Sequence, residues 1–304
     1  MKISTAFLFD RATERMSAIQ NKLATTQAQL AVSKQILSPS DAPDQAAAIQ
    51  RLKGELERQD SHVRTLDVAL RRYSAEETAL SSSNDILIRL QELGIQAANG
   101  SLGSNNRLAI SSEMKALRDQ LLSLGNTRDD SGNYLFSGTR VNTPAFAEDS
   151  NGDVQYQGDQ TQTRIPAGVE RTVQFTRAGT DVFSRVVRED GESVGFFDAL
   201  DQMIEGVTTN KDSAIQQGIG DVIKMHSSLN LSLAQNGSDQ SVVQSQMDVS
   251  AETSLRLKTT LSDVEDLDYA EAVTKMNKEM MALEAAMGSF SKISGLSLFD
   301  YIRG

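Results

Sequence analysis

The sequence predicts a mainly α-helical chain in which both ends build a long antiparallel helical bundle, a coiled-coil rod, with a small β subdomain inserted in the middle. Three observations predict it. Proline occurs only at positions 39, 43, 144 and 166, so residues 44 to 143 and 167 to 304 lack the strongest helix breaker. Apolar residues recur in alternating steps of three and four near both termini. Between residues 133 and 194 that spacing gives way to short alternating runs punctuated by glycine. Aromatics make up 5% of residues and tryptophan is absent, a composition that suits helices packed side by side better than an aromatic-rich enzyme core.

Phe9, Ala12, Met16, Ile19, Leu23, Thr26, Leu30, Ser33 and Leu37 keep the heptad spacing and predict an N-terminal coiled-coil arm over residues 1–40. Pro39 and Pro43 stop it, and Ser40 or Asp41 is placed to cap the next helix. Residues 41–132 read as the N-terminal half of a helical rod, with Ile49, Leu52, Leu56, Val63, Leu66, Leu70, Tyr73, Leu80 and Leu87 in register. Gln59, Glu77 and Asn84 take the remaining seam positions and restrict that register. The cluster from Asn99 to Ser104 predicts a turn into an antiparallel helix over about residues 105–128, marked by Leu108, Ser112, Met114, Leu117, Leu121 and Leu124.

Residues 133–194 read as the β-rich subdomain, with runs such as Val154-Gln155-Tyr156 and Arg171 to Phe175. The segment holds many of the excess acids, among them Glu148, Asp149, Asp153, Asp159, Glu189, Asp190 and Glu192, which read as a solvated surface. Residues 195–265 form the C-terminal half of the rod, with a break expected at Asn236-Gly237-Ser238. Residues 266–304 form a C-terminal coiled-coil arm on Val273, Met276, Met280, Leu283, Met287 and Phe290, continued by Ile293 and Leu298.

A lone amphipathic helix is marginal in water, and most helical stability comes from packing its apolar face. An arm of 37 residues rises roughly 55 Å, more than a compact domain covers. Phe9, Met16, Ile19, Leu23, Leu30 and Leu37 of one arm, and the eight apolar residues of the other, are therefore expected to pack against neighbouring molecules. An ordinary bundle inside one monomer is the alternative reading.

A net charge of -11 and a pI near 4.8 argue against nucleic acid as a partner. No run approaches the roughly 20 apolar residues of a spanning helix, and Phe7-Leu8-Phe9 ends at Asp10, so neither membrane insertion nor a cleaved leader is expected. Without cysteine there are no disulfides or thiolate metal sites. Nucleotide-binding, zinc-protease and serine-hydrolase motifs are missing. His62 and His226 read as solvated, and Asp129-Asp130 and Glu189-Asp190 as turn and capping acids. No catalytic, cofactor or metal residues are expected, and the stripe Met276-Met280-Met287 reads as an adaptable interface. A coiled-coil signalling or adhesion protein is the rival non-enzymatic class.

Several segments resemble one family, the flagellin-like axial proteins of the bacterial flagellum. Met1 to Thr5 followed by the heptad helix and Ser38-Pro39-Ser40-Asp41-Ala42-Pro43 is similar to the family's opening and its turn into the second helix. Asn126-Thr127-Arg128-Asp129-Asp130-Ser131-Gly132-Asn133-Tyr134-Leu135-Phe136-Ser137-Gly138-Thr139 resembles its helix-to-β junction, and Tyr156 to Asp159 a short β motif. Leu267 to Ala272 and Phe290 to Tyr301 resemble members that join hook to filament more than filament flagellins, which tend to carry a different second segment and a shorter apolar tail. The resemblance implies a structural subunit joining hook to filament, assembled as a short ring by self-association. It also implies contact with a neighbouring hook-associated protein and with flagellin, a flagellar export chaperone on the C-terminal arm, type III export without a cleaved leader, and an extracellular place in the flagellum. A flagellin-type filament subunit is the alternative within the family. Terminal arms that order only on assembly are a further implication.

Overall fold

A computed structural model describes residues 2–302 apart from 168–171 and 190, with the side chains of Phe7 and of residues 9–292 outside those gaps. Helices dominate, and the strands of the described residues form three separate antiparallel pairs in the middle of the chain, as expected from the sequence. The chain forms two compact units, residues 1–60 with 252–304, and residues 61–251. Helices α2 (Pro43–Ala97) and α6 (Asp212–Glu265) contribute to both.

In the first unit α1 (Lys2–Val32) packs along α7 (Tyr269–Ile302). The pair is antiparallel: the Phe9 and Phe290 rings lie 4.9 Å apart, and the Tyr269 hydroxyl donates to the Leu30 carbonyl at 3.3 Å. Going from one contact to the other is 21 residues along each helix, so a single register spans the pair. Among the described side chains of α1 the least exposed are Gln29 and the heptad seam of the sequence, Ala12, Met16, Ile19, Leu23, Thr26 and Leu30. Opposite them α7 turns in Ala272, Met276, Glu279, Leu283, Ala286 and Phe290.

The first helix ends earlier than its seam suggests. Ser33 adopts φ +60°, the left-handed region that terminates helices, and Lys34 forms an antiparallel bridge with Asp266. Ser33 and Leu37 are therefore not helical seam positions, and Leu37 stays 38% exposed. Asp41 does not cap α2 either: its carboxylate accepts the Ser38 N–H at 2.9 Å and closes the preceding turn.

In the second unit α3 (Ser104–Gly125) runs back along α2, with Arg89 of α2 paired to Glu113 at 2.8 Å. Its core face is Ile110, Ser111, Met114, Arg118 and Leu121. Leu108 and Ser112, expected on that face, point outward, because the buried stripe is set by α2 and by α5 (Phe196–Thr209) rather than by heptad counting. Strands β1 (Phe146–Glu148) and β2 (Val154–Tyr156), β3 (Arg164–Pro166) and β4 (Thr172–Gln174), and β5 (Val186–Val187) and β6 (Ser193–Val194) each pair only with each other. A four-residue helix α4 (Gly179–Val182) separates the second pair from the third.

The expected break at residues 236–238 does not occur, and α6 continues through it. Asn236 is fully buried, and its amide nitrogen donates to the Tyr73 carbonyl and the Glu76 carboxylate, both at 3.2 Å. An Asn usually favours turns because its side chain competes with the helix for backbone groups. Here that side chain is committed to α2, which outweighs the cost of roughly 1 kcal/mol for Gly237 inside a helix.

The main core gathers Leu87, Leu90 and Leu93 of α2, Met114 and Leu121 of α3, Leu200 and Met203 of α5, and Val222 and Met225 of α6. Five of the ten phenylalanines in the chain, Phe136, Phe146, Phe183, Phe196 and Phe197, meet there with ring centroids 5.2 to 6.1 Å apart. The scarce aromatics are thus concentrated where the strand pairs meet the helices.

Candidate functional site

Both terminal arms place their sequence-singled residues on α1 and α7, and the structure sorts them into two sets. Met16, Ile19, Leu23 and Leu30 of α1 and Met276, Leu283 and Phe290 of α7 are partly covered by the helix pair, and Phe9 meets Phe290 with the rings tilted by 45° while remaining 44% exposed. Val273, Met280 and Met287 remain 41%, 42% and 54% exposed. They stand at one heptad spacing, so they form a second apolar stripe beside the seam, flanked by Met281. Leu37 lies beyond the end of α1, and the side chains of Ile293 and Leu298 fall outside the described residues.

The seam is of modest grip. Thr26 is buried with its hydroxyl unpartnered, and Glu279 sits in the α7 seam with one carboxylate oxygen buried and unpartnered. Single helices of this kind gain about 1.5 to 3 kcal/mol for each large apolar side chain buried in full, and half of that is still unrealised at the exposed stripe. The first unit therefore retains apolar surface in contact with water.

The second unit holds its strand pairs by buried arginines. An isolated two-stranded pair is marginal in water, so these anchors matter. Arg118 of α3 reaches Asp201 of α5 at 3.0 Å, the Gly152 carbonyl at 3.2 Å, and the Glu148 carboxylate of β1. Burial raises the Asp201 carboxyl against the pull of that arginine. Arg188, just after β5, binds Asp221 of α6 through Nε at 3.0 Å and Nη2 at 2.8 Å, and also Glu192 and Gln202. Arg177, following β4, lies 3.6 Å from both Glu76 of α2 and Asp239 of α6, while Arg72 donates to the Leu135 carbonyl at 2.6 Å. Burial pushes the Glu76 carboxyl up, opposed by Arg72 and Arg177. Sequence reading missed these four arginines. Their signal was an Arg within an apolar period, as in Met114, Arg118 and Leu121.

The junction segment explains its own composition. Leu135, Phe136 and Ser137 are fully buried, Gly138 takes φ +66°, and a Cβ there would come within 2.2 Å of the Asp159 carbonyl. The Asp159 N–H donates to the Ser137 carbonyl at 3.2 Å and the Thr139 N–H to the Asp159 carboxylate at 3.0 Å, which ties both resemblance segments together. The acids read as solvated surface also have duties: Asp149 accepts the N–H groups of Asn151 and Asp153 at 2.8 and 3.0 Å, and Asp159 those of Thr139 and Thr161 at 3.0 Å.

Asp129 commits its carboxylate to the N–H groups of Ser131 and Asn133 and to Arg72, and Asp190 lies outside the described residues. His226 bonds Asn230 of its own helix, and both histidines, expected to be solvated, are partly buried. Among the described residues no group of His, Asp or Glu is arranged to hold a metal ion, and no helix is long and apolar enough to cross a membrane.

Comparison with known proteins gives these features a setting. Residues 3–141 match the bacterial flagellin N-terminal helical region. The chain is 24% identical to flagellar hook-associated protein 3 of Escherichia coli strain K12, over 99% of each chain, and 24% identical to that of Salmonella typhimurium over the whole of both. Polar flagellin A of Vibrio parahaemolyticus is 34% identical, over 33% of this chain and 27% of that one. Among solved structures, a putative flagellar hook-associated protein from Vibrio parahaemolyticus aligns with a TM-score of 0.65 at 21% identity, over 74% of this chain and 100% of that one. FlgL of Xanthomonas campestris aligns with a TM-score of 0.59 at 22% identity, over 70% of this chain and 99% of that one. The helical fold with its central strand pairs is shared with both.

Proposed function

We infer that this flagellin-like axial chain is a structural subunit of the bacterial flagellum that joins hook to filament. The observation that carries the reading is the extent of the similarity: hook-associated protein 3 matches from end to end, whereas the flagellins match over 33% to 59% of the chain. A filament subunit is the weaker alternative for that reason.

The subunit works by packing, not by chemistry. Its terminal helices pair within the molecule and leave the stripe Val273, Met280 and Met287 for neighbours, so self-association in a short ring buries what the monomer exposes. Met16, Ile19, Leu23 and Leu30, expected from the sequence to face neighbours, hold the helix pair together instead, while Phe9 and Leu37 keep exposed surface beside the α7 stripe and, with Ile293 and Leu298, supply the contact. Methionine suits this role because its flexible thioether accommodates partners of differing shape, here a neighbouring hook-associated protein and flagellin. Before assembly the same C-terminal residues need cover, which a flagellar export chaperone with a helix-binding groove provides. The chain then acts outside the cell, delivered by the flagellar type III route.

The test is genetic and biochemical. A strain deleted for this chain should build hooks and shed unpolymerised flagellin, and the unaltered chain should restore filaments. The triple variant Val273→Gln, Met280→Gln, Met287→Gln should be secreted and folded yet fail to restore them. Normal filaments on the deletion strain would overturn the reading.

A further inference from the structure

We propose that Glu265 is a latch that sets the register of the terminal helix pair, a positioning role separate from the joining function and independent of it.

The packing of α1 on α7 distinguishes registers poorly. Along the seam Ala12, Met16, Ile19 and Leu23 meet a face built of Ala272, Met276, Leu283 and Ala286, so a slip of one heptad exchanges one medium apolar contact for another. Methionine and alanine tolerate such exchanges. Coiled coils that need one register use polar contacts to specify it. Thr26 and Glu279, the polar residues within this seam, have buried oxygens without partners, so they do not bond each other to define the alignment.

Alignment is instead specified at one end. Where α6 passes into α7, the Glu265 carbonyl accepts the Gln35 N–H at 2.9 Å, and the Leu267 N–H donates to the Ser33 carbonyl at 3.2 Å. The Glu265 carboxylate takes two ammonium groups, Lys34 from the segment after α1 and Lys53 of α2, the latter at 2.8 Å. That carboxylate is only 11% exposed, whereas the lysines are 47% and 39% exposed, so it is the fixed centre and they are the movable arms. Ser33 pairs with the Tyr269 hydroxyl on the first residue of α7. A serine held at φ +60° is disfavoured in isolation and persists only where its surroundings determine it. All these contacts bring residues 33 to 35 and 53 to 265–269, and each is lost if α1 slides by a heptad. The latch thus fixes at one end an alignment that the apolar seam propagates some 21 residues to Phe9 and Phe290.

The chain has no cysteine, so engineered pairs report on register without background. Phe9→Cys with Phe290→Cys reads the aligned state, and Phe9→Cys with Leu283→Cys reads a slip of one heptad. In the full chain with Glu265 intact, the first pair should oxidise to a disulfide at least about tenfold more readily than the second, the factor that one charge-assisted hydrogen bond commands. In the Glu265→Lys variant the preference should fall below about threefold, and in the neutral Glu265→Gln variant it should fall part of the way. Adding Lys34→Glu and Lys53→Glu to Glu265→Lys should return it. Far-UV circular dichroism checks that each variant keeps its helices. An unchanged preference in Glu265→Lys, no recovery in the charge-swapped triple variant, or no crosslink in either pair with Glu265 intact would each overturn the proposal.

Discussion

Replacing Gly218 by alanine sets helix propensity against packing within one helix. Alanine is favoured over glycine in a helix interior by about 1 kcal/mol, so on propensity alone the change stabilises α6. The tertiary contacts oppose it. A Cβ at position 218 would lie 2.4 Å from Met203 Cγ and 2.5 Å from Met203 Cβ, whereas carbon atoms pack best at about 3.5 to 4.0 Å. Those atoms sit next to the Met203 backbone and cannot swing away, and Met203 is fully buried. Its far end is confined too, since its terminal methyl lies 2.1 Å from where a Cβ of Gly94 on α2 would be. Met203 therefore fills the space that two helical glycines leave open. Overpacking costs about 1 to 3 kcal/mol, and atoms fixed this close put Gly218→Ala at the upper end, a net loss of about 2 kcal/mol after the helix gain. Gly220, two residues on, has nothing within 4 Å of its Cβ position, so Gly220→Ala should instead gain up to about 1 kcal/mol. Urea unfolding measures both, as midpoint shifts at constant slope. Met203→Ala, costly alone, should cost at least about 1 kcal/mol less in the Gly218→Ala background, a coupling that a double-mutant cycle isolates. The reasoning fails if Gly218→Ala stabilises as Gly220→Ala does, or if its effect and that of Met203→Ala simply add.

Arg188→Met should destabilise the second unit by about 3 to 5 kcal/mol in the same urea assay, because it strands the buried Asp221 carboxylate, and Arg188→Met with Asp221→Leu should recover most of the loss. The latch should respond to acid: hydrogen bonds from Lys34 and Lys53 hold the Glu265 carboxyl below its ordinary value, so the unfolded chain takes up the proton first as pH falls. Its stabilisation is complete above the usual glutamate pKa of about 4.3 and is lost as pH drops through the lowered value, so the disulfide preference for Phe290→Cys should decline there, and Glu265→Gln should show no such decline.

The helical class, the central strand region and both seams are legible in the chain because each depends on local pattern. Proline placement and a heptad period state where helices run, and the period identified Ala12, Met16, Ile19, Leu23, Thr26 and Leu30 as the face that α7 covers. The same reasoning misled wherever a long-range partner overrode a local preference. Asn236-Gly237-Ser238 has the composition of a turn, yet the Tyr73 carbonyl and Glu76 of a distant helix hold Asn236 in α6. Leu108 fits the apolar count of α3 but is 55% exposed, while Arg118 is buried because acids on β1 and α5 await it.

On the C-terminal helix the division is sharpest. Sequence alone determined that α7 is amphipathic and rich in methionine, since residues three and four apart share a side of any α-helix. It did not separate Met276, Leu283 and Phe290 from Val273, Met280 and Met287, because positions three residues apart lie only about 60° apart around the axis and belong to one broad apolar face. Only the approach of α1 along a single line decided between them. A helix is narrow enough to cover one stripe of its partner, and the stripe beside it stays exposed.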